Sequence, residues 1–101
     1  MTQSIMQLLI TCETLLRNVN EMFWANKLLQ VIEAIQGEKK PEIVLMKEVL
    51  SLYGGMGSFN DLILSEHNDH CIKGLDEGEL NDELSVLRNE IYRYARSVVD
   101  D

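Results

Sequence analysis

Residues 80–98 of this chain read LNDELSVLRNEIYRYARSV, and they carry its clearest structural pattern. Apolar residues recur there at alternating spacings of four and three, which is the seam of an amphipathic helix. The seam consists of Leu80, Leu84, Leu87, Ile91, Tyr94 and Val98. Acidic Asp82 and Glu83 lie near its start and basic Arg93 and Arg96 near its end, which favours the helix dipole. The pattern predicts a helix from about Asn81 to Val98.

Two further helices are predicted before it. The first runs from Ser4, as N-cap, to about Asn18, and its apolar stripe includes Cys12 as a small core residue. The second covers about Asn20 to Gln36, and Gly37 is suited to a left-handed stop. Either Asn20 caps this second helix, or the first two helices run on with a bend there.

A third helix is predicted from Pro41 to Tyr53, since proline suits a first helical turn. It is apolar on several sides, which predicts a central position in the bundle. The triple-glycine joint at residues 54–57 then allows a tight reversal of the chain. Residues 58–64 form either a helical turn capped by Ser58 or a short extended piece. Residues 65–81 read as a surface loop with one turn around 72–75.

These elements predict a single all-α domain over residues 1–101, a compact bundle of four main helices plus one or two short ones. A chain of 101 residues that is 46% hydrophobic has the size and composition for one core. The aromatic residues expected in that core are Phe23, Trp24, Phe59 and Tyr94. Tyr92 is different, since it lies off the seam on the side of Arg88 and Arg96.

The charge of the chain is unevenly distributed. Seven carboxylates and one lysine, Lys73, give residues 66–83 a net charge of −6, out of −8 for the whole chain. The seven acids are Glu66, Asp69, Asp76, Glu77, Glu79, Asp82 and Glu83. Such a concentration either keeps the chain soluble or forms a docking surface for a basic protein. We take these seven residues as the candidate partner-binding site.

The same charge argues against other partners. A sequence pI near 4.6 without a lysine or arginine cluster gives no footprint for nucleic acid. An anionic membrane surface would repel the chain. The N-terminus has no basic residue before its apolar stretch, and two cysteines are too few for a disulfide framework. A cytoplasmic protein is therefore expected.

Chemistry-bearing residues are few. His67, His70 and Cys71 are possible zinc ligands, but they are bunched in one loop without a second cluster to complete a tetrahedral site. No nucleophile elbow or phosphate loop is present. We therefore expect no metal, no other cofactor and no enzyme activity. A solvated polar loop is the simpler interpretation of these three residues.

The block LYGGMGSFNDL at residues 52–62, followed by a polar loop and a long helix, resembles small bacterial proteins that share a GGMGSFNDL block. Some proteins of that kind are immunity proteins of polymorphic toxins, including those of contact-dependent growth inhibition. The resemblance covers about residues 20–98, with only the eleven-residue block specific. It implies an all-helical fold and the neutralisation of a toxin domain, and it assigns no site residues.

The functional expectation combines this resemblance with the charge. We expect an immunity protein, monomeric in a 1:1 complex, that covers a cognate toxin domain with its acidic residues. The toxin is expected to be basic, such as a ribonuclease or deoxyribonuclease, because a nuclease is positive where it grips phosphate. The alternative is a helical adaptor or regulator that acts through protein–protein contacts or homodimerisation, with Tyr92 in the interface.

Overall fold

Four α-helices and two short 3₁₀ turns make up the regular structure of the described residues. The computed structural model describes residues 2–54, 57–72 and 74–100, with side chains from Ile5 onward. Along the chain the helices are α1 (Thr2–Asn18), α2 (Met22–Gly37), α3 (Glu42–Leu50) and α4 (Glu77–Val99). The 3₁₀ turns, Phe59–Asp61 and Glu66–Asn68, lie between α3 and α4. The predicted all-α bundle of four main and two short helices is confirmed.

The apolar seam of α4 forms one wall of the core. Leu80, Leu84, Leu87 and Ile91 are buried against α1 and α3. Tyr94 and Val98 are only partly buried, and Ala95 takes the fully buried position on the last turns. The stripe of α1 faces the same core with Ile5, Leu9, Cys12 and Leu16, each fully buried. The periodicity therefore predicted the inward faces of both helices.

The helix starts differ from the predicted ones because the caps are not where the apolar stripes begin. Helix α1 already begins at Thr2, so Ser4 lies inside it and is not its cap. Helix α2 is capped by Glu21, whose Oε2 accepts the Trp24 N–H at 3.1 Å. Asn20 instead adopts a left-handed φ of 63°, which separates α1 from α2.

Two further boundaries need correction. Gly37 is the last residue of α2, and Glu38 takes the left-handed conformation that was expected of the glycine. Helix α4 begins at Glu77, four residues before Asn81, because Asp76 caps it with a 3.1 Å bond from the Glu79 N–H. Helix α3 ends at Leu50, so the chain leaves the helix before Tyr53.

The prediction that α3 is central was wrong. Leu45, Met46 and Val49 are buried, but Ile43 and Val44 are 41% and 39% exposed. Helix α3 packs mainly on α4 and α2, and the side that carries Ile43 and Val44 faces solvent. Phe23 was also wrongly predicted as core, since it is 62% exposed at the start of α2. Its ring lies at the edge of Trp24, with 5.3 Å between the ring centroids.

The segment after α3 turns back into the core. Gly54 and Gly57 have φ of 106° and 79°, values that favour glycine, while Gly55 and Met56 of the predicted joint lie outside the described residues. The Phe59 N–H donates to the Leu52 carbonyl at 2.9 Å and brings its ring into the core. The 3₁₀ turn that follows is capped by Ser58, as the helical-turn alternative predicted.

Candidate partner-binding surface

The seven carboxylates predicted as the partner-binding site are all exposed. Among the described residues, none of them lies within salt-bridge distance of a lysine, arginine or histidine nitrogen. The ion pairs of the described chain involve other carboxylates, on Glu13, Glu21, Glu48 and Asp100. The anions of residues 66–83 therefore project an electrostatic field into solvent.

The fold divides these seven acids into two groups. Glu66 and Asp69 belong to the second 3₁₀ turn and its end, whereas the other five cap α4 or lie in its first two turns. At about 100° per residue, Glu79 and Glu83 are separated by about 40° around α4, and Asp82 lies about 60° from Glu79 on its other side. The three acids therefore spread over about 100° of the helix surface, with Glu83 at one end and Asp82 at the other.

Some of this acidity has a structural explanation. Asp76 caps α4, and Glu77 and Glu79 lie in its first turn, where negative charge favours the helix dipole. Neither explanation applies to Asp82 and Glu83, which lie beyond the first turn.

The loop that carries Glu66 and Asp69 is held in place by His70. Its Nε2 donates to Glu21 Oε1 at 2.9 Å, and its Nδ1 accepts the Ser65 N–H at 2.9 Å. Nearby, the Cys71 N–H donates to the Val19 carbonyl at 2.9 Å. Because Glu21 also caps α2, one carboxylate fixes both a helix start and the loop. We call the Glu21–His70 pair the clasp.

The clasp corrects a sequence prediction. Residues 67–71 were interpreted as a solvated loop, yet His70 is buried at 6% exposure. The burial of His70 had one sequence signal, its position two residues before the apolar Ile72 in an otherwise polar stretch. Ile72 is itself buried. The identity of its partner was not readable, since Glu21 lies 49 residues away.

The segment 58–64 is fastened to α4 by two side chains. Arg88 Nη1 donates to the carbonyl oxygens of Phe59, Asn60 and Leu62 at 2.8, 3.2 and 3.0 Å. The Asn81 side-chain amide bonds both the N–H and the carbonyl of Leu64, at 2.8 and 2.9 Å. These bonds hold the 58–64 segment against α4, and the clasp holds the loop that follows it against the start of α2. We call the 58–64 segment and this loop together the platform.

A groove runs beside the α4 acids, between α1 and the start of α4. Its volume is about 410 Å³. The residues that line it are Ile10, Thr11, Thr14, Leu15, Asn18, Val19, Leu75, Leu80 and Glu83. Two of its apolar side chains are substantially solvent-exposed, Leu75 at 53% and Ile10 at 40%. The groove thus combines apolar surface with the acidic side of α4.

The Tyr92 surface lies on the other side of α4. Tyr92 is 39% exposed, and its ring meets the Tyr53 ring edge-on at 5.1 Å between centroids. It lines an open pocket with Arg96, while Arg88 is turned toward the 58–64 segment. Burial raises the pKa of the Tyr53 hydroxyl, which donates to the Arg88 carbonyl at 2.8 Å.

The structure does not bring the possible metal ligands together. Both ring nitrogens of His70 are hydrogen-bonded, Nε2 to Glu21 and Nδ1 to Ser65. His67 and Cys71 are exposed. Within residues 2–54, 57–72 and 74–100, no three His, Cys, Asp or Glu side chains are grouped to hold a metal ion. Cys12 is buried, and burial raises the pKa of its thiol to about 12, so it stays protonated.

The two cysteines should differ in reactivity. In the folded chain, an excess of a thiol-reactive disulfide reagent should titrate one equivalent, from exposed Cys71, while Cys12 stays protected. Under denaturing guanidinium, two equivalents should react. The Cys71→Ser variant is the control and should show no rapid reaction when folded. Rapid reaction of two thiols in the native chain would contradict the burial of Cys12.

Residues 17–73 match a family described as a domain of unknown function, DUF6966. The match covers more than half of the chain. The chain belongs to the DUF6966 family. No curated protein and no solved structure matches it. The DUF6966 match includes both halves of the clasp and the glycine joint, and it ends before α4. Among the described residues, no helix of this DUF6966 chain is long and apolar enough to cross a bilayer.

Proposed function

We propose that this chain is an immunity protein that binds a basic toxin domain and occludes its active surface. The observation that carries the proposal is the set of seven exposed carboxylates without a described cationic partner. The resemblance of residues 52–62 to immunity-type proteins supports the same function. A cytoplasmic location fits this role, because the toxin acts on nucleic acid inside the cell.

The physical logic is competition for a positive surface. A nuclease needs cationic residues where it holds phosphate, and exposed carboxylates bind the same residues. Complementary charge accelerates the encounter, and well-packed apolar contacts slow the release. The clasp and the Arg88 bonds keep the platform ordered before binding, which reduces the conformational entropy lost in the complex.

Co-expression tests this function directly. The C-terminal domain of the polypeptide encoded immediately upstream of this chain should arrest bacterial growth when expressed alone. Co-expression of this chain should restore growth, and the two purified proteins should form a 1:1 complex in calorimetry. Unchanged growth arrest together with no heat of binding would reject the proposal.

Charge removal on α4 should slow association. Replacing Glu79 and Glu83 by glutamine should lower the association rate about three- to tenfold at low salt and flatten its salt dependence. Asp76 is left intact because it caps α4. Stopped-flow binding to the upstream-encoded domain from 50 to 500 mM NaCl gives the measurement, concentrations at which screening lengths span roughly 14 to 4 Å.

The matched control changes the same net charge elsewhere. Glu33→Gln with Glu38→Gln removes two exposed acids outside the 66–83 stretch. This pair should alter the association rate by less than about twofold, since steering depends on local potential more than on net charge. Equal effects of the two pairs would show that only the overall charge of the chain matters.

An adaptor function acting through homodimerisation is the second candidate. The observation that favours it is the 39% exposed ring of Tyr92 beside Arg96, since tyrosine and arginine are enriched at interface hot spots. Sedimentation velocity across a hundredfold range of concentration separates the two candidates. A stable dimer that Tyr92→Ala dissociates would establish the adaptor, whereas a monomer at all concentrations favours the immunity function.

A further inference from the structure

The groove between α1 and the start of α4 has two kinds of wall. Ile10, Leu75 and Leu80 supply apolar surface, and more than half of the Leu75 side chain is open to solvent. The groove is an open depression of about 410 Å³. Because Leu75 is exposed, a partner that covered it would remove apolar area from water.

The charged residues described around the groove are acidic. Glu83 lines it, Glu79 lies one turn earlier on the same side of α4, and Asp76 follows Leu75 directly. Within the described part of the chain, which leaves out Lys73, no lysine or arginine lines the groove. The arginine nearest to it on α1, Arg17, turns the other way, where it bonds Glu13 at 3.0 Å and Asn26 at 3.2 Å.

We propose that this groove receives an apolar side chain from a cationic segment of the partner. The occupant is a protein segment that presents one large apolar residue between lysines or arginines. The cations meet Glu79 and Glu83 while the apolar side chain packs on Leu75 and Ile10. This inference rests on the proposed function, and it names the part of the surface and the partner chemistry that provide the affinity.

Charge complementarity favours this occupant over a second copy of the chain, and it favours this groove over the pocket beside Tyr92. A second copy of this chain would bring another net charge of −8 against an acidic wall, which disfavours self-association here. The pocket beside Tyr92 is lined by Arg96 and therefore suits a cationic segment poorly. Of these two open surfaces, the groove alone combines exposed apolar side chains with a carboxylate, that of Glu83, which has no cationic partner among the described residues.

The carboxylates and the apolar side chains of the groove should affect different rate constants of partner binding. The carboxylates act at a distance and govern the encounter, so their removal mainly affects the association rate. Leu75 and Ile10 act only after contact, so truncating them mainly raises the dissociation rate. This separation distinguishes a true anchor from a general effect of the acidic field.

The experiment measures the rates at which the purified upstream-encoded toxin domain binds and leaves the wild type, two groove variants and one control variant. Leu75→Ala should raise the dissociation rate at least tenfold, as expected of an interface anchor, with an association rate within twofold of the wild type. Ile63→Ala is the control, because Ile63, like Leu75, is more than half exposed. It lines a different depression, beside Glu21 and Asn68. It should change neither rate by more than about twofold. Ile10→Ala provides a second test of the groove, with the same expected direction as Leu75→Ala.

The possible results separate the inference from the function. If the wild type binds and Leu75→Ala and Ile10→Ala both dissociate at the wild-type rate, the groove is not the anchor and the immunity function stands. Ile63→Ala weakening binding as much as Leu75→Ala would also overturn the assignment. If the wild type does not bind the domain, the proposed function fails and this inference falls with it. A dimer of the free chain that Leu75→Ala disrupts would assign the groove to a second copy instead.

Discussion

Replacing Phe59 by alanine is expected to lower the free energy of unfolding by about 3–5 kcal/mol. The ring is fully buried and contacts Trp24 and Tyr53, with centroid distances of 5.2 and 5.5 Å. Its removal leaves a cavity that the packed helices close only in part. Urea denaturation followed by circular dichroism gives the measurement, with the slope of the transition checked for two-state behaviour.

The control is the same substitution at the neighbouring phenylalanine. Phe23 is 62% exposed, so Phe23→Ala should cost less than about 1 kcal/mol although its ring also touches Trp24. A loss below about 1 kcal/mol for Phe59→Ala would contradict its position in the core, and a loss at Phe23 as large as that expected for Phe59 would contradict the exposure of Phe23. The comparison also tests the correction of the sequence-based prediction, which placed both rings inside.

Replacing Arg88 by methionine is expected to lower the free energy of unfolding by about 3 kcal/mol. The guanidinium donates to three carbonyl oxygens of the 59–62 segment, and hydrogen bonds to charged groups contribute roughly 1.5–3 kcal/mol each. Water replaces part of these bonds because Asn60 is exposed, so the losses do not add fully. Methionine keeps a flexible apolar stem and the helix propensity of α4.

Arg93 is the matched control for this variant. It is exposed on α4 about one and a half turns after Arg88, and Arg93→Met should change the free energy of unfolding by no more than about 0.5 kcal/mol. Amide hydrogen exchange adds a local measurement, because loss of the Arg88 bonds should increase exchange in residues 59–64 before global unfolding. A loss below 1 kcal/mol with unchanged exchange would show that the three bonds do not hold the segment.

The local periodicity of the sequence was sufficient to predict the four helices and the inward faces of α1 and α4, but it misplaced Phe23 and the apolar outer side of α3. The seam of α4 and the stripe of α1 were predicted because burial repeats every three to four residues in an amphipathic helix. Helix starts were predicted less well. Asp76 and Glu21 cap their helices from positions outside the apolar stripes. In a polar stretch, the sequence does not distinguish a capping acid from other acidic residues.

The candidate surface was predicted in part. Seven acids close together in sequence were expected to be exposed, and they are. The groove beside them was not predicted, since it joins Ile10 and Leu75 from segments 65 residues apart. The sequence also gave no reason to separate Glu83, which lines the groove, from Asp82, which is not among the lining residues. That distinction follows from where α4 begins and which of its sides meets α1.

The helical fold class, most core residues and the concentration of negative charge were predictable from the sequence, because each depends on residues close together along the chain. The burial of His70 against Glu21, the bonds from Arg88 to the 59–62 segment and the exposure of Phe23 became known from the folded chain. Each of these depends on which distant segment lies opposite. Packing between helices, rather than any local pattern, supplies that information.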